Sequence, residues 1–125
     1  MLIVDQQTYQ ITIDAGDQEK VRFTLTNSDG TPHNGTGASF EFTAKENLDT
    51  VIGSAEIRIT TALNPSQFDL AQIASGILDL EFLPANTSGL GGKQVTYGLR
   101  EVDSLGKPHT PRGPTAMIVR KNPTI

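Results

Sequence analysis

The sequence predicts an all-β fold: an antiparallel β-sandwich, Ig-like or jelly-roll-like, of seven to eight strands with at most one short helix. Apolar and polar residues alternate in short runs, β-branched Thr (15) and Ile (10) are frequent, and 12 Gly and 7 Pro punctuate the chain. Because each half-buried sheet must be covered by another, a sandwich is favoured over a small closed barrel. The absence of Trp and Cys removes the hallmarks of a true immunoglobulin domain.

Alternation of apolar and polar residues marks the strands in chain order. Runs begin near residues 9, 21, 38, 57, 78 and 95, and a last run at 116–119 predicts a strand buried on both faces. The first of these runs places Tyr9 on the apolar face. The predicted core is Ile11, Ile13, Val21, Phe23, Phe40, Phe42, Ile57, Ile59, Leu80, Phe82, Tyr97, Leu99 and Ile118.

Turn chemistry separates these runs. Ala15–Gln18, Asn27–Pro32 and Asp103–Lys107 are rich in the Gly, Asp, Asn and Ser residues that tight turns favour. Residues 64–76 predict either a helix of at most two turns or, at 68–70, a short strand. Ser88–Gly92 is predicted to be the most flexible connection.

Length and charge indicate one domain and exclude several classes of protein. The 125 residues form a single predicted domain, 1–125, with 1–7 as an N-terminal arm or edge strand and 120–125 as a C-terminal tail. The net charge of −4 argues against nucleic-acid binding. No apolar run approaches membrane-spanning length, so no membrane partner is expected. The first residues lack the basic region of a signal peptide, which predicts synthesis and retention in a cytosol.

The residues that could carry chemistry form no recognisable constellation. Without Cys there is no disulfide and no thiolate metal site. His33 and His109 each lie beside Pro, and both are predicted to be exposed loop residues. Asp14, Asp17 and Glu19 match no calcium loop and predict turn chemistry. We therefore expect no catalytic residue, no cofactor, no metal site and no enzymatic activity.

The termini are the predicted interface. Residues 1–92 carry 4 − 12 = −8 charges and residues 93–125 carry 6 − 2 = +4. The basic segment either lies beside acidic strands of the same molecule or meets an acidic surface of a neighbour. The apolar residues 2–4 either form an extra edge strand or add to a neighbour's open sheet edge. The residues predicted for contact are Leu2, Ile3, Val4, Arg120, Lys121 and Ile125.

The turn motifs follow one another in a definite order along the chain. The motifs are Gly16-Asp17, Asp29-Gly30-Thr31-Pro32, Thr36-Gly37-Ala38, Gly92-Lys93, Tyr97-Gly98-Leu99, Asp103–Lys107 and Gly113. Over roughly residues 10–121 this order resembles the N-terminal β-sandwich of the upper baseplate proteins of tailed bacteriophages, and related small Ig-like virion modules.

The resemblance implies a structural role in a virion. In that family the sandwich docks onto the tail or baseplate hub, and a helical region that follows it trimerises. This sequence stops at Ile125 without heptads, so we expect a free-standing module, either a baseplate or tail adaptor or a capsid decoration protein. Its expected partners are other virion proteins, with self-association or ring assembly, in a particle assembled in the host cytoplasm.

Two rival functions stay open. A carbohydrate- or receptor-binding module needs exposed aromatic rings, and only Tyr9 and Tyr97 supply rings with a polar tip. A small hydrolase needs convergent acids or a held histidine, for which the sequence shows no spacing.

Overall fold

A computed structural model describes residues 1–46 and 55–121. The described residues form nine strands and one short helix, α1 (Pro84–Thr87). The strands are β1 (Leu2–Val4), β2 (Ile11–Asp14), β3 (Glu19–Thr24), β4 (Ser39–Lys45), β5 (Ile57–Thr60), β6 (Phe68–Asp69), β7 (Ile77–Phe82), β8 (Lys93–Val102) and β9 (Pro108–Arg120). No helix among these residues is long and apolar enough to cross a membrane.

The strands form two sheets, which confirms the predicted all-β sandwich. The larger sheet has the order β1-β2-β9-β8-β4-β5 and the smaller has the order β3-β7-β6. One pair, β2 with β9, is parallel, with Ile11 opposite Met117 and Ile13 opposite Val119. The strand count exceeds the predicted seven to eight because the N-terminal arm and the two-residue β6 both pair as strands.

The core lies between the sheets and follows the predicted alternation. All but one of the predicted core residues are buried. The exception is Ile118, which is half-buried on the outer face because Met117 and Val119 occupy the inward positions of β9. The last strand therefore has an apolar side chain on each face, but the sandwich covers only one of those faces.

Four rings join the two sheets at the centre of the core. The rings of Phe42 and Tyr97, from the larger sheet, stack with their centroids 5.2 Å apart. Phe82 meets Phe42 edge-on at 5.2 Å, and Phe23 lies 6.3 Å from Tyr97. Such offset and edge-on arrangements are the favoured geometries for aromatic pairs.

The prediction that Tyr9 lies on the apolar face is wrong. Tyr9 is 40% exposed and has a φ of 61°, in the left-handed region, because residues 5–10 form a tight loop between β1 and β2. The Asp5 carboxylate closes that loop by accepting hydrogen bonds from the backbone N–H groups of Gln7 (2.8 Å) and Thr8 (3.0 Å).

Two connections differ from their sequence predictions. Residues 64–76 contain β6 between the 3-10 turns Pro65–Gln67 and Ile73–Ser75, so the short-strand alternative is confirmed and the helix is wrong. The stretch predicted to be the most flexible folds into a 3-10 turn that continues α1 and buries Leu90.

The predicted turn at Asp103–Lys107 is confirmed, but β9 is longer than predicted. Two irregularities interrupt its pairing with β8: Gly113 and Pro114 oppose Gly98, and Thr110 and Pro111 oppose Arg100. These are β-bulges, and they accommodate prolines that cannot donate to the ladder. The residue between the bulges, Arg112, stands opposite Leu99. Directly paired residues share a face, so Arg112 is directed between the sheets.

Candidate functional site

The predicted N-terminal segment and residues 120 and 121 of the predicted C-terminal tail lie at one edge of the larger sheet. β1 is the edge strand, and β2 separates it from the end of β9, so residues 2–4 form the edge strand of their own sandwich. Leu2 and Val4 pack against the core, whereas Ile3 faces outward and is 50% exposed. Thr12 pairs with Ile3 on one side and with Ile118 on the other. The outer face therefore presents a row of Ile3, Thr12 and Ile118.

The basic residues around the end of β9 are partly neutralised by carboxylates of the same molecule. The Arg120 Nε donates to Asp14 Oδ1 at 2.8 Å, and Lys93 Nζ lies 3.3 Å from Glu46 Oε1. Lys121 is exposed and makes no ion pair with any described residue. Ile125 lies outside the described residues.

The acidic turn residues gather around the N-terminal amino group. The Met1 nitrogen lies 3.3 Å from both Asp14 Oδ2 and Glu19 Oε1, and it also donates a hydrogen bond to Asp17. These carboxylates, Asp17 foremost, raise the pKa of the Met1 amino group to about 10. No group of His, Cys, Asp and Glu residues in the described ranges could hold a metal ion.

The prediction that His33 is simply an exposed loop residue is wrong. Its side chain is 28% exposed, and its Nε2 lies 2.8 and 2.9 Å from the two carboxylate oxygens of Glu101. Glu101 is only 1% exposed and belongs to β8. Because 68 residues separate the partners in sequence, no local pattern could indicate the contact.

A second hydrogen bond holds the other side of the His33 ring. The Asn27 side-chain nitrogen donates to Thr31 Oγ1 (3.0 Å) and to the Pro32 carbonyl (3.3 Å). Its Oδ1 is therefore the atom that faces His33 Nδ1, at 3.2 Å, and Nδ1 must be the donor. The ring is thus held between the Asn27 side chain on one side and the Glu101 carboxyl group on the other.

This arrangement fastens the connection that carries His33 to the larger sheet. A catalytic histidine uses one ring nitrogen for an orienting group and the other for a nucleophile or substrate. Both nitrogens of His33 are occupied, and neither partner is a hydroxyl. His109 Nε2 pairs with Asp103 Oδ2 at 2.9 Å across the exposed hairpin turn. No hydrogen bond joins its other ring nitrogen to a hydroxyl in the part of the chain that the structure describes.

The sequence analysis did not identify Glu101 or Arg112, although the neighbouring residues of Glu101 indicated that it would be buried. Val95, Tyr97 and Leu99 set an inward period of two, and Glu101 continues it. An acid at a buried strand position requires a partner. Arg112 had no comparable signal, because its direction depends on the two bulges.

Comparison with other proteins identifies no relative: no protein-family model matches the chain, and no curated protein matches it.

Removal of His33 tests the buried pair. His33→Ala leaves the Glu101 carboxylate buried without its partner, so we expect the free energy of unfolding to fall by about 3–5 kcal/mol. The control His109→Ala breaks a half-exposed pair and should change stability by less than about 1 kcal/mol. The double variant His33→Ala/Glu101→Leu, which removes both polar partners, should recover much of the loss. Urea denaturation measures all three, and similar losses for His33→Ala and His109→Ala would contradict the assignment.

Because of the contact between Asp14 and Arg120, we expect the folded state to lose stability at acidic pH. The hydrogen bond from Arg120 is the main cause that lowers the pKa of Asp14, with a smaller contribution from the Met1 amino group. A lowered pKa in the folded state stabilises the fold above the unfolded value of about 3.9, and that stabilisation is lost as pH falls through the lowered value. In a carbon-13 NMR titration, Arg120→Gln should raise the pKa of Asp14, and the distant Arg22→Gln should not. An ordinary pKa for Asp14 in the unmodified protein would refute the contact.

Proposed function

We propose that this chain is a non-enzymatic structural component of a bacteriophage particle, a baseplate or tail adaptor or a capsid-associated module. It docks onto neighbouring virion proteins, including further copies of itself, through the terminal edge, defined here as β1, β2 and residues 117–121. The observation that carries the docking proposal is that β1 and the end of β9 lie on either side of β2 and present Ile3 and Ile118 outward.

The chemistry of the terminal edge suits a protein partner. Ile3, Thr12 and Ile118 form a low-polarity row, and Lys121 adds a charge with no partner in the described chain. An apolar centre with a charged rim is the usual composition of protein interfaces. The acid-rich first 92 residues of a second copy provide charge of the opposite sign.

The assignment to a phage particle rests on the turn motifs that resemble upper baseplate proteins. The all-β sandwich is the fold which that resemblance implies. The hairpin turn at Asp103–Lys107 and the left-handed glycines at 30 and 37 fall within those motifs.

Copies are expected to dock as folded units and not to exchange their N-terminal arms. The loop between β1 and β2 is closed by Asp5, whose backbone N–H donates to the Gln10 carbonyl at 2.9 Å and whose carbonyl accepts from Tyr9 at 2.8 Å. Arm exchange would require this short closed loop to open.

A double variant that removes an apolar side chain and reverses a charge tests the terminal edge. Ile3→Ser/Lys121→Glu should weaken self-association at least about tenfold, because it removes apolar contact area and reverses a rim charge. The matched control, Leu105→Ser/Lys107→Glu, makes the same changes at the hairpin turn, where Leu105 is 81% exposed. Arg120 is left intact, because Arg120→Glu would place a carboxylate against Asp14 and disturb the fold.

Sedimentation velocity at low and high salt measures the association, which should weaken as salt screens the charges. The same two variants are then compared for occupancy in phage particles, by immunogold electron microscopy of particles released from cells that carry the gene. Equal association and equal occupancy for both variants would refute the terminal edge as the contact. Absence of the chain from particles, or sub-millimolar binding on a glycan array, would instead favour a carbohydrate- or receptor-binding role.

A further inference from the structure

A small cavity of about 200 Å³ opens between the two sheets, on the side where the β1–β2 loop faces β3. Its polar lining comes from four parts of the chain and includes no carboxylate. Its wall includes Gln6, Tyr9, Arg22, Thr24, Tyr97 and Arg112, together with Val4, Phe23 and Thr26. Two of them are arginines, and of these Arg22 is paired with Asp79.

The bulges of β9 direct Arg112 into this space. Its guanidinium crosses from the larger sheet to the smaller, where Nη2 donates to the Thr24 carbonyl of β3 at 3.1 Å. Nη1 donates to the Pro111 carbonyl at 3.2 Å. Bulges recur beside functional sites because they re-aim a side chain without ending the strand.

The charge of Arg112 is not neutralised in the described part of the chain. Arg22 places Nε and Nη2 on the two oxygens of Asp79, at 2.9 and 3.1 Å. Arg112 makes no such ion pair, and its Nε is buried without a hydrogen-bond partner. An arginine stays protonated in proteins, and buried polar atoms are nearly always satisfied. The buried Nε is closed to a ligand, so an anion in the cavity would meet the guanidinium at its two Nη groups.

An aromatic face holds the guanidinium in place. The Arg112 Cζ lies 3.9 Å from the centre of the Tyr9 ring, a cation–π contact. Tyr9 adopts its left-handed φ of 61°, and its carbonyl accepts a hydrogen bond from the Tyr97 hydroxyl at 2.6 Å. Backbone strain of this kind persists where the surrounding structure enforces it, and it clusters at ligand sites.

We propose that this cavity binds an oxyanion, the carboxylate, sulfate or phosphate group of a ligand, with Arg112 as the principal contact. The planar fork of the guanidinium matches two oxygens of such a group, and Thr24 and Gln6 line the same cavity. The volume fits the anionic group itself. The rest of a larger ligand has room in an adjoining cleft of about 450 Å³, which shares Thr26 and Arg112 with the cavity.

The cavity shares Val4 of β1 with the terminal edge. The docking proposal rests on the outward-facing Ile3 and Ile118, which do not line the cavity, so neither proposal depends on the other. NMR titration of the full chain tests the oxyanion site, with inorganic phosphate, sulfate, acetate and succinate as probes at constant ionic strength. We expect saturable shifts of the Arg112 Nε–H resonance and of the backbone amides of Tyr9 and Thr24. Phosphate and sulfate that outbind acetate and succinate would assign a tetrahedral oxyanion, and the reverse order would assign a carboxylate.

Three variants distinguish anion binding at a specific site from a general attraction of anions to any positively charged side chain. Arg112→Gln should weaken binding at least about tenfold, and Arg112→Lys, which keeps the charge but not the fork, should weaken it less. Arg100→Gln removes another arginine, one without an ion pair in the described residues, and should leave binding unchanged. If Arg112→Gln fails to fold, the comparison of Arg112→Lys with Arg100→Gln decides. Shifts that do not saturate with any probe, or that persist in the Arg112 variants, would overturn the proposal.

Discussion

Tyr97 is the residue on which the rest of the arrangement depends. Its ring stacks on Phe42 and contacts Phe23, so it joins the sheets, while its hydroxyl donates to the Tyr9 carbonyl. Burial raises the pKa of Tyr97, which keeps this donor protonated. The hydroxyl fixes the β1–β2 loop, and the loop in turn holds β1 at the sheet edge and the Tyr9 ring beneath Arg112. One side chain thus couples the core to the terminal edge and to the cavity.

The alternation of apolar and polar residues predicted those strands in which the position of a residue along the strand alone decides whether it is buried. The strands of the core appear where a period of two exists, because inward and outward positions must alternate on a pleated strand. Ile118 shows the limit of that rule: in a run of four apolar residues the pattern cannot choose which pair faces inward. The register with β2 makes that choice, and it places Met117 and Val119 inside.

The sites depend on contacts that local patterns do not contain. Glu101 lies at an inward position of a readable pattern, yet its partner His33 comes from a connection far away in sequence. Arg112 is directed by two bulges that arise where prolines interrupt the ladder, and a proline-containing stretch is ordinarily a poor candidate for a strand. The terminal segments were predicted as separate contacts, and the position of β1 near the end of β9 depends on the parallel pairing of β2 with β9. Pairing between distant parts of the chain therefore decides where the polar groups meet, and local sequence patterns do not reveal that pairing.

Hydrogen exchange of Tyr97→Phe tests the central role of this residue most directly, since the change removes one oxygen and leaves the ring. The loss of the only donor that the described residues offer to the Tyr9 carbonyl should free the β1–β2 loop. Backbone amides of Asp5 and Tyr9 should exchange at least about tenfold faster, equivalent to about 1.4 kcal/mol. Amides of β4 and β8 should keep their protection. Unchanged exchange at Asp5 and Tyr9, or an equal rise throughout the sandwich, would contradict the account.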